Sequence, residues 1–138
     1  MRKMRDIMSP AAVCMAPGES VSAAARAMKQ HDIGTVLVVN DGRLSGLITG
    51  RDITVRVLAE KRDPRTTRIG DICSANLAVL SPDDDVDEAT RLVRERGVRR
   101  IPVLADGTPV GVVSIGDLAL EKDATSALSG VCSGPPNL

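Results

Sequence analysis

The apolar positions of this chain change period several times between its start and residue 62, and the changes fix a provisional order of elements. Val13-Cys14-Met15-Ala16 is a short apolar run closed by Pro17-Gly18, which predicts a brief buried strand. Ser20 is a suitable N-cap. Behind it Val21, Ala24, Ala25 and Met28 recur at i, i+3, i+4 and i+7, one face of a helix, while Arg26, Lys29 and Gln30 point elsewhere. His31-Asp32-Ile33-Gly34 ends that helix. The continuous, β-branched run Thr35-Val36-Leu37-Val38-Val39 predicts a strand buried on both faces, and Asn40-Asp41-Gly42 supplies turn chemistry after it. Leu44 to Thr49 should return antiparallel. Asp52-Ile53 then opens a helix towards Lys61, which Asp63-Pro64 cannot continue.

The pattern then starts again. Leu77 to Leu80 repeats the short strand, and Ser81-Pro82-Asp83-Asp84-Asp85 precedes a helix in which Asp85 as N-cap and Glu88 resemble a capping box. Val86, Ala89 and Val93 mark its buried face. Arg100 to Leu104 and Val110 to Ser114 form a second hairpin around Asp106-Gly107, and a last helix runs from Asp117 to about Lys122. The clearest landmark is Gly46-Leu47-Ile48-Thr49-Gly50-Arg51-Asp52-Ile53, which returns as Gly111-Val112-Val113-Ser114-Ile115-Gly116-Asp117-Leu118, an offset of 65 residues if counted from Asp52 to Asp117. The same offset pairs Gly42 with Gly107, Val21 with Val86, Pro17 with Pro82, and Asp6-Ile7 with Asp71-Ile72. The chain is therefore a duplication. The boundaries this gives are a first repeat over 6–62, a connector over 63–70, a second repeat over 71–122 and a flexible tail over 123–138, where Ser, Gly and Pro dominate.

With 138 residues, each repeat alone lies near the lower limit of independent stability, so the two should share their burial. Each has two amphipathic helices over a short sheet. Apolar faces bearing Val21, Met28, Val57 and Leu58 should therefore stay partly unburied within one chain, which predicts a homodimer. Eighteen basic and eighteen acidic residues balance, which speaks against a dedicated nucleic-acid or membrane-surface binder, and the absence of Phe, Tyr and Trp excludes base stacking on aromatic rings. No apolar run approaches a signal peptide or a membrane span, so a cytoplasmic location is expected. Cys14, Cys73 and Cys132 form neither an even framework nor a close pair, which predicts free thiols and no metal site. The single histidine, His31, has no serine or cysteine partner in sight, so no hydrolase triad can be assembled and enzyme action is not expected.

The candidate chemistry sits at the end of each hairpin. Thr49 and Ser114 place a hydroxyl just before a helix, beside unpaired helical amides, and Asp52 and Asp117 lie in the first turn, where each carboxylate can accept charge-assisted hydrogen bonds. The plainer reading is that these residues are only helix caps and first-turn acids, which are common everywhere. Arg99 and Arg100 stand before the second repeat's buried strand, at positions that hold Gly34 and Thr35 in the first, where Arg51 could compensate.

The order strand, helix, strand, strand, helix, written twice and ending both times in Gly-x-x-(Thr/Ser)-x-x-Asp, resembles a tandem pair of CBS domains, the cystathionine-β-synthase motif. Pro17-x-x-Ser20-Val21-x-x-Ala24, Pro82-x-x-Asp85-Val86-x-x-Ala89 and Val98-Arg99-Arg100-Ile101-Pro102-Val103 are further marks of that family, and the likeness covers roughly residues 6 to 120. The chain looks most like the small stand-alone bacterial members. The resemblance implies an α/β fold with mixed sheets, two β-α-β-β-α repeats related by a pseudo-twofold axis, assembly into a disc-like dimer, and clefts between the repeats that hold adenosine-containing ligands. Carried over by motif, Thr49, Arg51, Asp52, Arg99, Arg100, Ser114 and Asp117 would be the ligand residues. AMP, ADP, ATP or S-adenosylmethionine would then be ligands rather than required cofactors. The contrasting reading is a stress-linked protein–protein interaction module whose clefts are vestigial.

Overall fold

A computed structural model describes residues 2–10, 13–75 and 77–122. The expected tail over 123–138, with Cys132, lies outside the described residues. In chain order the elements are α1 (Met4–Ile7), β1 (Ser9–Pro10), β2 (Cys14–Met15), α2 (Val21–His31), β3 (Thr35–Asn40), β4 (Arg43–Thr49), α3 (Gly50–Ile53) running on into a π-helical turn (Thr54–Leu58), α4 (Ile69–Ile72), α5 (Val86–Arg96), β5 (Arg100–Ala105), β6 (Thr108–Ser114) and α6 (Ile115–Lys122). The fold is mixed α/β, with two small three-stranded sheets ordered β2-β3-β4 and β1-β6-β5.

The described residues form two compact units, one made of 13–75 and 77, the other of 2–10 and 78–122. In the first unit β2 pairs parallel with β3, and β3 pairs antiparallel with β4, so that Thr35 faces Thr49 and Val36 faces Ile48. The three consecutive buried residues Val36, Leu37 and Val38 confirm a strand covered on both faces. Its core joins Val21 and Ala24 of α2, Val36, Val38 and Ile48 of the sheet, Val57 of the π-helical turn, and Ile69 and Ile72 of α4. In the second unit Arg100 faces Ser114 and Ile101 faces Val113, and the core joins Met4, Leu80, Val86, Ala89, Ile101, Val103, Val113 and Leu118.

The 65-residue offset holds at the level of single ladder contacts. Ser9 pairs with Val112 in one unit as Ser74 pairs with Leu47 in the other, and Leu80 bridges Val103 in parallel as Met15 pairs with Val38. Gly46 and Gly111 sit where the chain crosses the hairpin. A Cβ on Gly46 would lie 2.5 Å from Cys73 Sγ and 3.1 Å from the Ser74 carbonyl oxygen; on Gly111 it would lie 2.5 Å from Met8 Sδ and 2.7 Å from the Ser9 carbonyl oxygen. Only glycine lets the edge segment approach this closely.

The sequence repeats and the spatial units are thus different partitions. Residues 2–10 complete the unit that carries the second repeat's hairpin, and residues 69–75 complete the unit that carries the first. This explains a departure from expectation: Val21 and Val57 are fully buried, because Ile69 and Ile72 arrive to cover them, and Met28 is half-buried. Among the described residues, Leu58 at 68% exposure and Val55 at 47% are the large apolar side chains left bare on that unit. Ala25 is exposed, so the buried stripe of α2 is narrower than the spacing predicted, and Cys14 of the short strand is exposed too. Among the described residues, the expected strand Leu77 to Leu80 is reduced to the isolated bridge of Leu80 to Val103. Glu88 does not complete a capping box with Asp85: Asp85 accepts from the Glu88 amide at 2.9 Å, but the Glu88 carboxylate is drawn to Arg91, which holds it below the usual carboxylate range. Among the described residues no helix is long and apolar enough to cross a membrane.

Candidate functional site

In both units the second strand of the hairpin runs straight into a helix, and the residues at that corner bond to one another. Thr49 is extended, at φ −117° and ψ 165°, and caps α3. Its Oγ1 accepts from the Asp52 amide at 3.1 Å and donates to Asp52 Oδ2 at 3.0 Å, while the Thr49 amide donates to the same Oδ2 at 2.8 Å. In the other unit the Ser114 amide donates to Asp117 Oδ2 at 2.9 Å and Ser114 Oγ accepts from the Asp117 amide at 3.1 Å. These are capping boxes with aspartate in the returning position. They form because the first turn of a helix has amides without intrahelical partners and favours an acid beside them. Among the described residues each aspartate accepts these bonds through Oδ2, and Oδ1 accepts no hydrogen bond.

The strand ladder then delivers the arginines. Arg100 opens β5 directly opposite Ser114, and the Ile115 amide donates to the Arg99 carbonyl at 2.9 Å. Arg99, Arg100, Ser114 and Asp117 therefore meet at one corner of one unit, with Arg99 exposed and Arg100 half-buried. At the matching corner of the other unit the Gly50 amide donates to the Gly34 carbonyl at 3.1 Å and Thr35 faces Thr49. Thr49, Asp52 and the exposed Arg51 share that corner; the seven candidate residues divide into these two sets.

Two further residues stand at the Thr49–Asp52 corner: Thr35, which the sequence reading had only as the counterpart of Arg100, and Arg56, which it missed. The Thr35 hydroxyl is buried and has no hydrogen-bond partner among the described residues, a costly state. Its signal was the offset from Arg100. Arg56 places Nε 3.9 Å from Asp52 Oδ1 and donates from Nη1 to the Ile72 carbonyl at 2.9 Å. Its signal was the i, i+4 spacing from Asp52. Beyond Arg56, the residues Val55, Glu60, Arg62, Asp71 and Ile72 line an open groove of about 470 Å³.

Cys14 and Cys73 are free, and burial pushes both thiols up, so they stay protonated at neutral pH. Among the described residues no three His, Cys, Asp or Glu side chains converge as a metal ligand set.

A profile of the CBS domain matches residues 4–59 and 69–122. The chain is 33% identical over 135 residues to the CBS domain-containing protein YhcV of Bacillus subtilis, covering 95% of this chain and 96% of that one. It is 34% identical over 120 residues to hypoxic response protein 1 of Mycobacterium tuberculosis, covering 86% and 84%. Among solved structures, hypoxic response protein I with two coordinated zinc ions superposes with a TM-score of 0.78 at 34% identity, covering 88% of this chain and 99% of that one. The CBS domain pair of protein MJ0100, in complex with 5′-methylthioadenosine and S-adenosyl-L-methionine, shares the fold with a TM-score of 0.80 at 24% identity, covering 91% and 99%. Two matched segments, two hairpin–helix corners at one offset and full-length relatives agree: the chain belongs to the CBS-domain family, as a tandem pair of its repeats.

Proposed function

We propose that this CBS pair is a regulatory module that senses an adenosine-containing ligand, AMP, ADP, ATP or a relative such as S-adenosylmethionine, through the hairpin–helix corner of Ser114 and Asp117. The observation that carries the reading is the Arg99–Arg100–Ser114–Asp117 corner. There a carboxylate with one uncommitted oxygen, a capping hydroxyl and two guanidinium groups stand on adjoining backbone. The carboxylate suits the hydroxyls of a ribose, and the guanidinium groups suit phosphate oxygens through bidentate, charge-assisted bonds. The adenosyl class itself comes from the family, and a CBS pair of the same fold carries 5′-methylthioadenosine and S-adenosyl-L-methionine. The role is binding and signalling rather than catalysis.

Thermal denaturation against a panel of adenosyl compounds tests the reading. A true ligand stabilises the folded state in proportion to the logarithm of its free concentration, by about 2.7 kcal/mol at a hundred times its dissociation constant. A midpoint unmoved by every compound at millimolar concentration overturns it.

A second reading is favoured by Leu58 and Val55, two exposed apolar side chains of the π-helical turn. On it the chain is a homodimerisation or protein-interaction module. Light scattering at micromolar concentration decides the dimer: a monomeric mass in low and moderate salt removes it.

A further inference from the structure

The aspartates of the two corners differ in what faces their second carboxylate oxygen. Asp52 Oδ2 accepts two bonds from Thr49, from its amide and its hydroxyl, which uses both lone pairs of that oxygen. Its Oδ1 lies 3.9 Å from Arg56 Nε, and the carboxylate is only 15% exposed. Arg56 is itself anchored, since its Nη1 donates to the Ile72 carbonyl of α4 at 2.9 Å, so the guanidinium spans from α4 to Asp52. It stands in the π-helical turn Thr54–Leu58, whereas the helix after the other corner, Ile115–Lys122, is α-helical. Among the described residues the Asp117 carboxylate is bonded through Oδ2 alone, and once. The residue that answers to Arg56 by the 65-residue offset is Glu121, an anion, which pairs with Arg2 at 3.5 Å. One corner thus sets a cation a turn behind its aspartate, and the other sets an acid there.

We propose that Arg56 is a specificity-determining residue: it latches Asp52 onto the chain, so that the Thr49–Asp52 corner does not accept a vicinal diol and the Ser114–Asp117 corner is the one that takes a ribose. The choice of ribose rests on the adenosyl reading above; the latch does not. A carboxylate recognises two neighbouring hydroxyls by offering both oxygens as acceptors. Asp52 would have to give up the guanidinium and a capping bond to do so, while Asp117 has Oδ1 to offer at once.

Calorimetric titration of the full chain with AMP tests the assignment. Wild type is expected to take up one AMP per chain. Asp117→Asn should weaken that binding at least about tenfold, and Asp52→Asn should leave it within about twofold. Arg56→Gln should add a second AMP, and Arg56→Lys, which keeps the charge, should return the count to one. An Asp52→Asn loss as large as that of Asp117→Asn, or an Arg56→Gln protein that titrates like wild type, overturns the latch. Should AMP bind none of these proteins, the adenosyl reading is decided by the wider panel of compounds and the latch is judged without ligand, from the Arg56 side-chain Nε–H resonance. Movement of that resonance in Asp52→Asn supports the latch, and an unmoved resonance overturns it.

Discussion

Val36 faces Ile48 across the hairpin of one unit, and Ile101 faces Val113 across the hairpin of the other, all four of them buried. The fold asks for one larger and one smaller β-branched residue in that layer and is indifferent to which strand carries which. The approach of an edge segment over the hairpin is treated differently. Gly46 and Gly111 are both glycine, although the sulfur above them belongs to Cys73 in one unit and Met8 in the other. What is kept between the units marks backbone geometry, and what is exchanged marks volume. What is neither kept nor exchanged, Thr35 against Arg100 and Arg56 against Glu121, marks the corners, where the units differ in chemistry rather than packing.

The largest expected difference between the units lies at those corners. With Arg99→Ala and Arg100→Ala combined, ATP should lose about 2–4 kcal/mol of binding free energy while adenosine is nearly spared, because only the phosphates meet the guanidinium groups. Arg51→Ala at the other corner should change neither by more than about 0.5 kcal/mol. Calorimetry with both compounds separates these cases. Equal losses for adenosine and ATP would mean that the arginines only support the strand entrance.

The glycines come next. Alanine at position 111 must push against the Ser9 carbonyl at 2.7 Å as well as Met8, whereas alanine at position 46 meets the Ser74 carbonyl at 3.1 Å and a thiol. Both substitutions should destabilise by about 1–3 kcal/mol, with Gly111→Ala the more severe. Urea denaturation ranks them; a Gly46→Ala protein less stable than Gly111→Ala would show that the thiol, not the backbone, sets the limit.

A smaller effect tests the exchanged layer. Ile48→Val should cost about 0.5–1.5 kcal/mol as a lost methylene, and Val36→Ile should cost a similar amount as an added one. The double variant reproduces the other unit's arrangement and should fall within about 0.5 kcal/mol of wild type. Additive losses in the double-mutant cycle would show that the two layers are packed against different surroundings after all.

The landmarks that the sequence made legible are those with contiguous signals. The hairpins were readable from β-branched runs around Asp-Gly turns, α2 and α5 from Ser20 and Asp85 with apolar spacing behind them, and the corners from the repeated Gly-x-x-(Thr/Ser)-x-x-Asp. What escaped the sequence depends on contacts between distant pieces. Two residues, Ser9 and Pro10, are too few to carry a strand pattern, yet they add an edge to β6. Val21 and Val57 looked half-covered because Ile69 and Ile72, which cover them, lie at the far end of the connector and just past it in sequence. The π-helical turn has no side-chain signature, so the placement of Arg56 beside Asp52 could be suspected from spacing but not read.

The last difference concerns how α2 and α5 end. Both stop at a residue in the left-handed region, but that residue is Asp32 at φ 52° in one unit and Gly97 at φ 62° in the other. In each case the capping amide donates back to the helix, to Met28 and to Val93, so the geometry is demanded by the helix end and not by the side chain. For an L-residue that conformation brings Cβ against the backbone at a cost of about 1–2 kcal/mol, less for aspartate, whose short polar side chain tolerates it. Asp32→Gly removes the strain but loosens the unfolded chain, so the net gain should be about 0.5 kcal/mol. Gly97→Ala introduces the strain in full with nothing within 4 Å of the new Cβ to add a clash, and should cost about 1 kcal/mol. The two substitutions should therefore move the urea midpoint in opposite directions, and Gly97→Asp should lie between Gly97→Ala and wild type. Changes of the same sign would show that Asp32 contributes something to its helix end that the backbone geometry does not account for.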